Sequence, residues 1–493
     1  MKTRQILLYF GFLAFLLCSC ELLSESDSGG SGSVNNPANV PPRKFWAQNI
    51  VTGNFYQVNA DLLAESKNCK VWAEKGTGIS AATATSMAKA YENTILPKML
   101  DTYGIVYDFK YQEQVIAHNT MELADWYGDG DGKLCILLLD IQDGYSPGVN
   151  DSYVAGYFHS LNFIKDTYSN LCDMIYIDAY PGSPGTKESN ATFAHEMQHM
   201  MNIITTQVTR SSAMDLWIDE GLSSTAEWLI EGSHPESRWA WYNQDPSGLI
   251  QKGNNFFVWG NRGSENQYAV LDDYSTAYLF FQWLRLQAGS NDIYFDIITS
   301  SDYDYKAVTK AANDYMAGKN YSDWGTLLKT WLAANYINAP SGPYGYKNDG
   351  TLKGIRAKTM PSGVTNVSLS PGEGVYSLTN NFAMPSNKTF VRYAGLNRSG
   401  NDLNDAATFS GGALLTYNAN TNISGGPESG TTTGVASYDF ADSVPERSVA
   451  GTTGINLSGP FVIGAGDVLR RNGFGEKTFL ELPKLKKGIT VLE

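Results

Sequence analysis

Histidine and cysteine are both scarce, with five of each in 493 residues. Cys18 and Cys20 end an N-terminal apolar run, which leaves Cys69, Cys135 and Cys172 far apart. An odd, dispersed set of this kind is neither a disulfide framework nor a zinc-finger pattern. Cys135 and Cys172 sit in apolar runs, where a thiol packs as a small hydrophobe. One bridge among the three stays open, and the sequence does not pick its pair. Basic charge is short too: 36 Lys and Arg face 50 Asp and Glu, a net charge of −14. With no stripe of Lys and Arg to offset it, this balance excludes nucleic acid and anionic lipid as the main partner. An apolar content of 42% suits packed cores, and the length allows two or three domains.

Lys2 and Arg4 precede an apolar run from Ile6 to Leu17, the layout of a secretory signal and too short to span a bilayer. The run ends in "LCSC", which resembles the lipobox of bacterial lipoproteins with cleavage before Cys20. That resemblance implies a lipoprotein signal peptide at 1–19, a lipid on Cys20 and an exported chain anchored to a bacterial cell envelope. Residues 20–43, rich in Ser, Gly, Asn and Pro, read as a flexible tether.

From Lys44 the pattern is α+β. "NFYQVNA" and "CKVWAE" read as strands, followed by a helix starting near Ser80 and interrupted around Pro97. In "WYGDGDGKLCILLLDI" a Gly/Asp turn feeds a buried strand, and "SYVAGYFHSL" and "DMIYIDAY" are further strands. Helices are expected over 212–231, over 273–288 with Gly289 as its stop, and over 305–317 and 322–336. Past about Gly342, Gly, Ser, Thr and Asn dominate and neither Trp nor His recurs, so 342–493 reads as an all-β module.

"TFAHEMQHMM", residues 192–201, carries His195 and His199 one helical turn apart on the same face. Both imidazoles can reach one ion, and Glu196, about 100° further round, stands beside it as a base. Catalytic zinc takes three protein ligands and keeps one position open. "WIDEGLSSTAEW", residues 217–228, offers Glu220 as the third ligand. Glu227 lies seven residues on along nearly the same face, placed to orient a histidine.

HEMQH followed by WIDEGLSSTAE resembles the gluzincin metallopeptidases, and "HEMQHMMN" with "DMIYIDA" before it is most similar to the hyicolysin-like bacterial peptidases. The resemblance covers roughly residues 44–340. It implies a thermolysin-like catalytic domain over 44–341, zinc on His195, His199 and Glu220, and protein or peptide substrates. Trp217, Glu220, Gly221, Ser224 and Glu227 match the aminopeptidase branch, whereas Asp219 stands where that pattern has Asn, leaving the supporting role of that position open. That branch's amine-gripping GxMEN-type stretch is missing ahead of His195. "CDMIYIDAY" reads instead as an edge strand on which an extended peptide pairs, pointing to an endopeptidase. Tyr274, ten residues before Leu284, matches the family's oxyanion-donating tyrosine, and Tyr278, one turn on, competes for the role.

Asp125, Asp129 and Asp131 form a calcium-loop candidate that a plain Gly/Asp turn explains equally well. His118, His159 and His234 show no ligand spacing. The expected molecule is a monomeric, lipid-anchored zinc metalloendopeptidase. Its rival is a surface adhesin or binding lipoprotein with an inactive metallopeptidase domain, against which the intact Glu196 speaks.

Overall fold

The computed structural model describes residues 34–35, 37, 40–103 and 132–432, apart from gaps at 151, 164–165, 209–212, 254–255, 267, 379–380, 398–401, 405–407 and 411. Cys20, His118 and the Asp125, Asp129 and Asp131 turn lie outside the described residues.

Six strands form the first sheet: β1 (Arg43–Gln48), β2 (Phe55–Glu65), β3 (Cys69–Glu74), β4 (Leu134–Leu139), β5 (Gly156–Phe158) and β6 (Met174–Asp178). Their order is β1-β2-β3-β4-β6-β5. β1, β2 and β3 pair antiparallel, β4 lies parallel between β3 and β6, and β5 runs antiparallel to β6. Side chains alternate between two cores. Leu134, Ile136 and Leu138 of β4 join Ile175 and Ile177 of β6 on the helical side. Cys135, Leu137, Leu139, Met174 and Tyr176 join Phe45 and Val58 on the other. Burial on both faces is why these two strands read as unbroken apolar runs.

The same burial corrects one expectation. MIYID is an interior strand, paired on both sides, and the edge belongs to the three-residue β5. The Asp178 N–H donates to the Ala155 carbonyl at 2.9 Å, so Ala155 and Tyr157 turn their backbone groups toward β6. By alternation the backbone N–H and C=O of Gly156 and Phe158 face outward.

The helical chain begins at α1 (Ala81–Ala90), where Ser80 Oγ accepts the Thr83 N–H. Pro97 does not end this run. A wide turn at Tyr91–Ile95 precedes it, with the Leu96 N–H returning to the Tyr91 carbonyl, and α2 (Leu96–Tyr103) continues through the proline. Widening the turn makes room for a ring that would otherwise press on the preceding carbonyls. There follow α3 (Lys187–Ile203), α4 (Leu216–Glu231), α5 (Glu236–Gln244), α6 (Ile250–Gly253), α7 (Ala269–Ala288), α8 (Asp292–Ile298), α9 (Tyr305–Tyr315) and α10 (Trp324–Ile337). α7 stops at Gly289, whose φ of 70° is the left-handed form that suits glycine.

Eight short strands follow: β7 (Asn366–Leu369), β8 (Gly374–Leu378), β9 (Asn381–Ala383), β10 (Val391–Asn397), β11 (Asp402–Asn404), β12 (Thr408–Ser410), β13 (Ala413–Asn418) and β14 (Glu428–Thr431). They pair antiparallel in the order β11-β10-β13-β8, with separate pairs β9/β12 and β7/β14. Tyr376 of β8 donates its hydroxyl to the Leu332 carbonyl of α10 at 2.8 Å. Arg262 forks onto Glu373 at 2.8 and 2.9 Å. Ala394, Leu415 and Tyr417 lie in the same apolar core as Trp331 and Leu332. Cys69, Cys135 and Cys172 are buried, and none is joined in a disulfide. Among the described residues no helix is long and apolar enough to cross a membrane.

Candidate metal centre

α3 and α4 build the centre. Thr186 caps α3, its Oγ1 accepting the Ser189 N–H at 3.2 Å, and the helix runs unbroken past both histidines. α4 is anchored by Trp217, whose ring sits 5.3–5.9 Å from Phe256, Phe257, Phe280 and Phe281. Gly221 lets Phe281 of α7 come against the α4 backbone, since a Cβ there would lie 2.3 Å from two of its ring carbons. This close approach sits one residue from Glu220.

His195, His199 and Glu220 are buried, and each offers a ligand atom within 4.8 Å of the others. Both Nε2 atoms stand 3.4 Å from Glu220 Oε2. That is long for a charge-assisted hydrogen bond, which runs at ~2.7–2.9 Å. It does match the ~3.4 Å edge of a tetrahedron with ligand bonds of ~2.1 Å, as zinc takes. Consistent with this, both Nε2 atoms and both Glu220 carboxylate oxygens are buried without a hydrogen-bond partner. Two neutral imidazoles and one carboxylate, aimed at one point and otherwise unsatisfied, fit a zinc ion.

The far sides of the rings are held. His195 Nδ1 lies 2.8 Å from Glu227 Oε1, and His199 Nδ1 lies 3.1 Å from both Asp219 Oδ2 and Ser223 Oγ. Asp219 Oδ1 in turn accepts Asn202 Nδ2 at 2.5 Å. Asp219, where the resembled pattern has Asn, thus links the His199 ring to Asn202. The field favours positive charge at this point. Burial alone would lower the His195 pKa, but Glu220 and Glu227 raise it to about 9. Burial also opposes charge on His199, yet Asp219 and Glu220 lift it well above the ordinary histidine range. Glu220, which burial would push up, is held well below the carboxylate range by His199 and His195. A divalent ion would replace those protons.

Glu196 points beside the three ligands. Burial raises its pKa, one bond from the Phe158 backbone N–H opposes this, and its Oε2 has no hydrogen-bond partner. Glu196 is therefore tied to the outward side of β5.

The two tyrosines separate. Tyr274 is buried with its ring 6.2 Å from that of His195. The Tyr278 hydroxyl instead meets His234 Nδ1 at 2.5 Å, while His234 Nε2 lies 3.3 Å from Asp349. His159 is set apart, its Nδ1 accepting the Leu161 N–H at 3.1 Å. Sequence reasoning passed over Arg238 of α5, which forks onto Glu227 and covers the face of Tyr274. Nothing in "ESRWAWYNQ" signals it, because both partners lie on other helices. Among the described residues no second cluster of metal-ligating side chains occurs.

Over 379 residues the chain is 26% identical to the neutral metalloprotease ShpI of Staphylococcus hyicus, in an alignment covering 74% of this chain and 78% of that protein. This chain resembles a metalloprotease. No family model matches it. The similarity and the His195–His199–Glu220 cluster agree on a metal-dependent hydrolase.

Proposed function

We propose that the protein is a zinc-dependent endopeptidase of the gluzincin, hyicolysin-like type, exported and held at the cell envelope by lipid on Cys20. In this reading residues 1–19 are the signal, 20–43 the tether, 44–341 the catalytic domain and 342–493 a β-rich domain. The reading is carried by one observation: three buried ligand atoms of the zinc type meet at one point with no other partner.

Zinc held by His195, His199 and Glu220 would supply Lewis-acid polarisation of a scissile carbonyl and a more acidic water. Glu227 and Asp219 accept from the Nδ1 side of each ring, which keeps the Nε2 lone pairs on the ligand side. Glu196 takes the proton of the attacking water and delivers it to the leaving amine. Tyr274 donates its phenol to the carbonyl oxygen as negative charge gathers there. An extended peptide pairs with the outward Gly156 groups and the Phe158 carbonyl, beside the Phe158 N–H that holds Glu196. No chain terminus is needed for such pairing, which favours internal cleavage.

The test is elemental analysis of the purified protein followed by digestion of a mixed peptide library. One zinc per chain and internal cleavage are expected. His195→Ala should lose the metal, whereas Glu196→Gln should keep it while hydrolysis drops by orders of magnitude. Stoichiometric zinc with no cleavage of any peptide would defeat the peptidase reading, and zinc retained in His195→Ala would defeat the ligand set.

A further inference from the structure

We propose that Arg238 is a positioning residue that sets the metal ligand His195 and the oxyanion donor Tyr274 together. Arg238 is buried on α5, outside the two motif helices. Its Nη2 donates to Glu227 Oε1 at 2.5 Å and its Nε to Oε2 at 3.3 Å. Glu227 Oε1 is the atom that meets His195 Nδ1 at 2.8 Å. The face of the same guanidinium lies over Tyr274, with Cζ 4.6 Å from the ring centroid.

Each contact has a separate physical consequence. A carboxylate held by one histidine can swivel between its two oxygens. A fork on both oxygens pins its plane, so Oε1 stays on His195 and the imidazole cannot turn its Nε2 away. The guanidinium face attracts the negative face of the Tyr274 ring, which fixes the direction of the phenol. Glu196, Asp219 and Glu220 are buried, and the half-buried Glu227 brings a fourth carboxylate beside them. Arg238 is a permanent cation in contact with one of them. Lysine keeps the charge but cannot supply the fork and the face together.

This inference rests on the proposed peptidase for its kinetic arm and not for its metal arm. The experiment compares the parent with Arg238→Lys, Arg238→Met, Tyr274→Phe and the Arg238→Met/Tyr274→Phe double variant. Zinc affinity is measured by competition with a chromophoric chelator, the ligand field by the visible spectrum of the cobalt form, and kcat and KM at saturating zinc.

Both arginine variants should bind zinc about 10–100-fold more weakly, with altered cobalt bands. At saturating zinc kcat should remain low while KM moves little. Tyr274→Phe should then cost far less in the Arg238→Met background than in the parent, because an unseated phenol has little left to lose. A folded Arg238→Met protein with parental zinc affinity and cobalt spectrum would overturn the proposal, as would full kcat at saturating zinc in both variants. If Arg238→Met fails to fold, Arg238→Lys and Glu227→Gln read the same coupling. A parent that binds zinc but cleaves nothing would defeat the peptidase reading while the metal arm still judged Arg238.

Discussion

Gly221→Ala sets two known effects against each other. In the interior of α4, alanine is better than glycine by about 0.8–1 kcal/mol of helix propensity. The packing opposes that gain. The new Cβ would fall 2.3 Å from both Cδ2 and Cε2 of Phe281, well inside the ~3.5–4.0 Å of an ordinary carbon contact. Phe281 has nowhere to go, being fully buried with Trp217, Phe280 and Tyr294 at ring distances of 5.8, 5.4 and 6.5 Å. Overpacking of a tight core costs typically ~1–3 kcal/mol, and an overlap with two ring carbons belongs at the upper end. The net expectation is a loss of about 1–2 kcal/mol despite the better helix former. The same displacement moves Glu220, one residue away, so zinc affinity should fall with stability. Denaturant titration of metal-free protein and a zinc competition titration measure the two effects, and the Gly221→Ala/Phe281→Leu double variant should lose less than the sum of its parts. A Gly221→Ala protein as stable as the parent, with unchanged zinc affinity, would refute the packing argument.

Tyr274→Phe should lower kcat by roughly 10²–10³ with KM little changed, as for loss of one oxyanion donor. Tyr278→Phe, whose hydroxyl is spent on His234, should instead cost some stability and leave kcat near the parent. Steady-state kinetics on both variants would expose a reversal. Asp272 should make the protein less stable as pH rises from about 4 to about 7. Burial, against the bonds from Ser247 and Trp241, pushes its folded pKa up to about 7, so the folded chain binds a proton in that window that the unfolded chain has released. Denaturant unfolding across this range should show Asp272→Asn flattening the fall, and an unchanged slope would refute the assignment.

The centre was far more legible than its surroundings. Two histidines one turn apart and a glutamate on the next helix are local patterns, and helical geometry converts them directly into position. Ser80 and Gly289 likewise announced helix ends by their own chemistry. The apolar runs of β4 and β6 were legible as strands, but their neighbours were not, since pairing order is a long-range choice. MIYID was therefore read as an edge although its burial on both faces belongs to an interior strand. The different surroundings of Tyr274 and Tyr278 were not legible locally either. One turn of helix separates them, and what distinguishes them is Arg238 on one side and His234 on the other.

The unbridged cysteines have a consequence for handling. Burial pushes the Cys69 thiol up to about 12, so its exchange-competent thiolate is scarce near neutrality. Cys135 and Cys172 are buried as well and likewise carry no cross-link. The core in the described residues therefore does not rest on a disulfide. Among the described residues a reductant has no disulfide to cut, whereas a chelator would compete for the metal proposed at His195, His199 and Glu220. A ligand that binds only the folded chain stabilises it by RT ln(1 + [L]/Kd), about 4 kcal/mol at a thousandfold excess over Kd. For the described fold, supply of the proposed metal would then bear on how long it stays folded.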